Sequence, residues 1–313
     1  MKNLDVIVTG LNVVDILVRL PSPISPGEKH EVRDLVVQGG APAGNAACVL
    51  AALGWETGFI THVGNDTLSQ IARAEFARCK VRDELLINTP DAQPAVSIVE
   101  IDPTSGDRTT FYSLQGYRHL LASDIPANRV RDSRLVLVDA YETDAAFSLL
   151  EAANASGVPS VLDVETGDPL LLKQLISLGS HIILPLACAR MLSGKQDPVE
   201  ALAELATVTA GQLVVTNGVH GSWALTKDGV LHQPAFVVEV VDTTGCGDAF
   251  HGAYASALLD GLALPLCLEF AAFYASHVAL VIGGRSWLPS RGDLRNSDLS
   301  QLSAELQSHL GQP

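Results

Sequence analysis

The sequence is poor in aromatic rings, in positive charge and in any cysteine arrangement that could carry chemistry. Phe, Trp and Tyr together make up 5% of the 313 residues, which leaves few rings on which a ligand base could stack. Lys and Arg number 20 against 35 Asp and Glu, a net charge of −15 with a pI near 4.9. A phosphate backbone or an anionic membrane surface repels such a chain, so nucleic acid and membrane are excluded as partners. Any anionic ligand must then be held by local backbone dipoles and a metal. The five cysteines, Cys48, Cys79, Cys188, Cys246 and Cys267, form no C-x-x-C pair and are odd in number. That excludes a zinc ribbon and a disulfide scaffold, and reads as reduced thiols in a cytoplasmic protein. The opening MKNLDVIVTG has no long apolar core and no small-residue cleavage site, so it is not expected to be a leader. The most apolar stretch, 262–284, contains Pro265, Glu269 and His277 and reads as a buried helix.

What the chain does have is apolar residue, 47% against 18% charged, enough for a sizeable core. Short β-rich runs at 6–9, 57–62, 135–139, 160–164, 181–184 and 213–217 alternate with periodic segments at 44–53, 68–79, 144–154, 170–178 and 199–209. The alternation predicts an α/β fold: a mainly parallel sheet, helices on both faces, and ligands at the carboxyl ends of the strands. Two regions break the rhythm. Residues 12–38 contain no obvious helix, and 95–113 read as strands 95–101 and 109–113 joined by Asp102-Pro103-Thr104-Ser105-Gly106. They read as a small β-rich lid on a single domain spanning 1–313.

The most informative segment is Val241-Asp242-Thr243-Thr244-Gly245-Cys246-Gly247-Asp248. It follows a strand-like run at 236–241 and opens a helix whose face carries Ala249, Phe250, Ala253, Tyr254, Ala257 and Leu258, with Gly261 placed to end it. Gly245 and Gly247 let the backbone approach a ligand, and the free N–H groups of the first turn bind an anion without lysine or arginine. Asp248 sits beside that anion site. An aspartate there is ordinary at a helix start, and it is equally the place for a base that takes a proton from an attacking hydroxyl.

Asp-Thr-Thr-Gly-Cys-Gly-Asp resembles the C-terminal signature of the ribokinase-like (PfkB) carbohydrate kinases. Gln38-Gly39-Gly40-Ala41-Pro42-Ala43-Gly44-Asn45-Ala46-Ala47, followed by Leu53-Gly54 and Gly64-Asn65-Asp66, is similar to the N-terminal one. The resemblance implies a three-layer ribokinase-like fold and an ATP-dependent sugar kinase, with ATP and Mg²⁺ as cofactors and a homodimer formed through the lid. It implies Asp248 as the catalytic base, with the N–H groups of Gly245, Cys246, Gly247 and Asp248 forming the hole for the γ-phosphoryl group. Cys246 stands where the family usually has a smaller residue. Asp15, Gly39, Gly40 and Asn45 are implied at the sugar, and Thr216, Gly218, Gly221 and Gly284 at the nucleotide. The stretch at 216–221 reads equally as a hairpin turn on Asn217-Gly218. Asp242 and Thr244 are implied at a monovalent cation, K⁺. The family's Asn-x-x-Glu near a strand end is absent from the corresponding stretch 183–190, and Asp163 and Glu165 are candidates to hold the Mg²⁺ waters instead.

Cys48-Val49-Leu50 and Val161-Leu162-Asp163-Val164-Glu165 are similar to the ketohexokinase branch, and the passage from His232 into Gly245 to the sulfofructose kinases. Both imply a ketose-like sugar with a primary hydroxyl. Asp139-Ala140-Tyr141-Glu142 argues against an anionic sugar, which favours an uncharged one. The alternatives are a nucleoside kinase of the same family and a catalytically silent sugar or nucleotide sensor. A dinucleotide-dependent oxidoreductase lacks its glycine fingerprint, since Gly10 stands alone after the first strand.

Overall fold

The alternating apolar runs form the strands of one large sheet in the computed structural model, which describes residues 4–21, 24–102 and 106–311. In chain order the strands are β1 (Val6–Thr9), β2 (Val13–Arg19), β3 (Leu35–Gly40), β4 (Thr57–Val63), β5 (Leu86–Asn88), β6 (Ala95–Ile101), β7 (Arg108–Ser113), β8 (Leu135–Asp139), β9 (Ser160–Asp163), β10 (His181–Pro185), β11 (Gln212–Thr216), β12 (Ser222–Thr226) and β13 (Gly229–Gln233). Nine of them pair in the order β13-β12-β11-β10-β9-β8-β1-β4-β5, parallel from β5 to β11 and antiparallel from there to β13. The helices are α1 (Pro42–Ala52), α2 (Thr67–Arg78), α3 (Ala127–Arg131), α4 (Thr143–Ser156), α5 (Pro169–Leu178), α6 (Leu186–Ser193), α7 (Pro198–Leu205), α8 (Cys246–Leu259), α9 (Leu264–Val278), α10 (Arg291–Arg295) and α11 (Ala304–Gly311).

Strand periodicity divides the core in two. Val6 and Val8 of β1 face α1, α8 and α9, whereas Ile7 faces α4 and its neighbours α5, α6 and α7. Helix entries follow capping chemistry. Asp66, Asp168 and Asp197 each accept two backbone N–H bonds at the starts of α2, α5 and α7, and proline opens α5 and α7. Because β1 lies between β4 and β8, the chain reverses its direction of winding there, which opens a crevice above the carboxyl ends of β1, β8 and β9.

The lid regions form a separate four-stranded sheet in the order β3-β2-β6-β7. The joining turn at 103–105 lies outside the described residues. Cross-strand register puts Gln38, Asp15, Ser97 and Tyr112 in one row facing the crevice, and Val37, Ile16, Ile98 and Phe111 in the adjacent row on the opposite face. One expectation needs correction. The run at 236–241 joins no sheet: Val237 is exposed, and Val241 is tied by single bonds from its N–H to Ala279 and to its carbonyl from Arg19. The stretch 183–190, which lacks Asn-x-x-Glu, runs from β10 into α6, where Leu186, Cys188, Ala189 and Leu192 supply a buried stripe. The 262–284 stretch contains α9, packed along α8, and no helix among the described residues is long and apolar enough to cross a membrane.

Candidate active site

The glycine loop is shaped by two constraints. Gly245, at φ 78°, takes the left-handed conformation that caps α8, and a Cβ there would stand 2.5 Å from Cα of Gly284. The buried Asp242 carboxylate staples the loop to its neighbour, accepting from Thr244 N–H and hydroxyl at 2.9 and 2.8 Å and from Gly283 N–H at 2.8 Å. Cys246 N–H turns back to the Thr243 carbonyl at 3.3 Å. The N–H groups of Gly247 and Asp248, in the first turn, have no acceptor in the helical ladder and suit an anion. Burial pushes the Cys246 thiol up to about 12, which leaves it protonated and inert as a nucleophile.

On the lid side, Asp15 is buried in the middle of β2, and the Ser97 hydroxyl donates to its Oδ1. Burial raises its pKa, opposed by the Ser97 bond and by the Arg285 charge. Gly40 lies so close that a Cβ on it would be 1.9 Å from Asp15 Oδ2. Asn45, on α1, donates from Nδ2 to Asp248 Oδ2 at 2.6 Å and accepts at Oδ1 from Arg285 Nε at 2.7 Å. The residues expected at the sugar and the helix start expected at the phosphoryl group therefore meet. Gly39 lies further back, against Arg285, and its N–H donates to Glu75.

Sequence reasoning missed two arginines. Arg108 opens β7 on the face shared with Asp15, and its Nη1 reaches the Thr243 carbonyl and hydroxyl at 3.2 Å from each, at the rim of the anion loop. Counting by twos back from Tyr112 would have put it on that face. Arg285 is 1% exposed and lies against Gly39, Gly44 and Asn45; no periodic signal points to it.

Asp163 and Glu165, at the end of β9, gather beside Asp248. With Asp248 they offer one carboxylate oxygen each, all within 4.8 Å of one another. Burial raises the pKa of both, ahead of the Asp248 charge, and brings Glu165 to about 7. Oδ1 of Asp163 is buried and has no hydrogen-bond partner, and Oδ2 meets only the His251 ring, at 3.4 Å. Cys188, within the stretch that lacks Asn-x-x-Glu, feels the charge of both carboxylates. Thr216, Gly218 and Gly221 stand apart at the end of β11, in the connection to the antiparallel β12. There Asn217 N–H bonds to the Gly221 carbonyl and 218–220 form one tight helical turn. This is a hairpin connection whose backbone is still open to a ligand. Gly284 is buried against Gly245 and close to Asn45.

The profile of the pfkB family carbohydrate kinases matches residues 4–291. The chain belongs to that family. The kinase is 30% identical over 294 residues to a fructokinase of Klebsiella pneumoniae, covering 85% of this chain and 94% of that one. Its fold superposes on the ribokinase of Arabidopsis thaliana solved with ribose and ATP, at a TM-score of 0.82 and 23% identity, over 96% of this chain and 100% of that chain. An Escherichia coli protein described as a ribokinase II, solved with ATP and Mg²⁺, superposes at 0.78 and 19% identity, over 91% of this chain and 96% of that chain. The kinase is thus a sugar or nucleoside phosphotransferase with an alcohol group as acceptor, built on the ribokinase-like fold.

Proposed function

We propose that the protein transfers the γ-phosphoryl group of ATP to a primary hydroxyl of an uncharged, ketose-like monosaccharide. The observation that carries this reading is the contact of Asn45 with Asp248, which joins the expected sugar subsite to the expected base at the start of α8. Asp15, steadied by Ser97, accepts hydrogen bonds from sugar hydroxyls, with Gly40 leaving room for the approach. Asp248 takes the proton of the acceptor hydroxyl as it attacks. The first-turn N–H groups of α8 and the Arg108 guanidinium bind the transferring oxygens, where charge spreads in the transition state. The lid strands bring Asp15, Ser97 and Arg108 over the crevice and exclude water. The backbone at Thr216, Gly218 and Gly221, with Gly284 behind the loop, takes the nucleotide.

Asp163 and Glu165, beside Asp248, fit a hard divalent cation. Three carboxylates converge, and Oδ1 of the fully buried Asp163 lacks a hydrogen-bond partner. Bound there, Mg²⁺ supplies charge neutralisation for the ATP phosphates. Asp242 fits K⁺ less well, since its two oxygens already accept three hydrogen bonds, and no step is assigned to that ion. An uncharged acceptor is favoured because carboxylates line the sugar side, while Arg285 is committed to Asn45 and the Gly40 carbonyl. The exposed outer row of the lid, Val37, Ile98 and Phe111 with Leu35 beside them, is the face for a second copy of the chain. Five free thiols suit a reducing, cytoplasmic setting.

ADP release across a panel of ketoses, aldoses and nucleosides tests the reading. A ketose should give the highest kcat/KM. A nucleoside optimum would favour stacking on Tyr112, which is exposed on the crevice face of the lid, and would replace the sugar assignment. No turnover with any acceptor would leave a sensor.

A further inference from the structure

Among the described residues Arg285 is the largest fully buried side chain, and it has no ion pair there. Its charge is felt by Asp15 and Glu75, but no carboxylate pairs with it directly; a buried guanidinium without an ion pair is costly to desolvate, so its neutral contacts need a reason. Its Nε donates to Asn45 Oδ1 and its Nη2 to the Gly40 carbonyl, both at 2.7 Å, and the guanidinium carbon lies 5.2 Å from the centre of the Phe76 ring. Its carbonyl in turn accepts from Arg78 Nη2 at 3.0 Å. Gly39 and Gly44 leave the space it fills: a Cβ would stand 2.0 Å from Nη1 at the first and 2.5 Å from Nη2 at the second.

The chemistry of the pair fixes an orientation. A guanidinium only donates, so the Asn45 atom facing it must be the carboxamide oxygen. The NH₂ group must then face the other way, and there it meets Asp248 Oδ2 at 2.6 Å. Turning the amide over would set its NH₂ against Nε and its oxygen against a carboxylate, two repulsions in place of two bonds.

We infer that Arg285 is a positioning residue that locks the Asn45 carboxamide, and through it holds Asp248 Oδ2 so that the remaining oxygen is presented to the acceptor hydroxyl. The inference rests on the proposed role of Asp248 as base and adds a residue that acts on it from two bonds away. It also gives a second reason for the glycines of the 39–44 segment: Gly39 and Gly44 accommodate the arginine, and Gly40 lends it a carbonyl.

The test is a double-mutant cycle at saturating sugar, with ATP binding stoichiometry measured on each protein to count folded sites. Arg285→Lys keeps the charge and loses the fork. It should lower kcat by roughly tenfold to a hundredfold, the scale of a misplaced catalytic group, with the KM for ATP within about twofold of the parent. Asn45→Ala should do the same. The double variant should be no slower than Asn45→Ala alone to within about twofold, because the arginine acts only through the amide. Losses that multiply, or an unchanged kcat in Arg285→Lys at full ATP stoichiometry, would overturn the inference. Should Arg285→Lys not fold, Gly44→Ala displaces Nη2 with the charge intact and at a helical position where alanine is favourable. It should then show the kcat loss, and parental kcat would overturn the inference. Asp248→Asn keeps the two readings apart. If that variant stays active the base assignment falls, and if it is inactive while the cycle is additive only the role of Arg285 falls.

Discussion

Asn45 and Asp248, 203 residues apart in the chain, share a 2.6 Å hydrogen bond between Nδ2 and Oδ2. The bond spans the N-terminal turns of α1 and α8, two helices packed side by side on one face of the sheet. Each segment reads as a ligand loop by itself, and their contact makes one site of two. A sugar touching Asn45 would also touch the residue that holds the base, so binding and base orientation are coupled by construction.

Asp248→Asn should lower kcat by on the order of 10²–10⁴, the usual contribution of a positioned base. ATP binding, followed by calorimetry, should stay near the parental value, since the proposed nucleotide site is the backbone around β11 and the anion loop. A variant with more than about half of the parental kcat would end the assignment.

How much of this was legible beforehand differs by element. The strands of the main sheet and most of its helices were readable because each carries its own period and its own cap, as Asp66, Asp168 and Asp197 show. The run at 236–241 has the composition of a strand but no neighbouring edge to pair with, and pairing is not written in one segment. Asp15, Asn45 and Asp248 could be named from motifs and the Asp163–Glu165 pair from a strand end, but their convergence is tertiary. Arg285 was illegible for a physical reason: its value lies in the space left by Gly39 and Gly44 some 240 residues away.

The three-carboxylate cluster predicts behaviour with metal alone. With no nucleotide present, Mn²⁺ added to the protein should give a bound-ion electron spin resonance signal. Glu165→Gln should weaken that binding at least about tenfold. In metal-free buffer the same variant should melt a few degrees higher than the parent, since it removes a half-buried carboxylate crowded against Asp163 and Asp248. Chelation of Mg²⁺ should abolish transfer in the parent. Parental Mn²⁺ affinity in Glu165→Gln would remove Glu165 from the ligand set.

The outer lid row predicts an assembly. Ile98 and Phe111 sit opposite each other on β6 and β7, 49% and 59% exposed, a pairing that is unfavourable in water unless covered. Light scattering should show a dimer for the parent, and Ile98→Glu should convert it to monomer while leaving the inward row of Asp15 and Ser97 intact. A parent that is monomeric at micromolar concentration rules out this face as the contact.

A last prediction concerns acid. Burial lowers the pKa of His181 to about 4, and its Nδ1 shares a hydrogen bond with the Tyr254 hydroxyl at 3.0 Å. In the unfolded chain the ring titrates near 6.5. Above about pH 6.5 it is neutral in both states and contributes no pH dependence. As the pH falls from there towards 4 the unfolded state takes up the proton first, so stability is lost across that window. The loss should be on the order of 1–2 kcal/mol by pH 5, or several degrees of melting temperature. Asp139 works in the opposite sense: burial lifts its pKa to about 7, so the folded state takes up that proton first as the pH falls. The absolute melting curve therefore mixes the two, and the difference between variant and parent isolates the histidine. His181→Gln retains a partner for Tyr254 and has no proton to gain. Its melting temperature relative to the parent should rise by several degrees between pH 7.5 and pH 5. A gap that stays constant over that range would mean His181 titrates alike in the folded and unfolded chain.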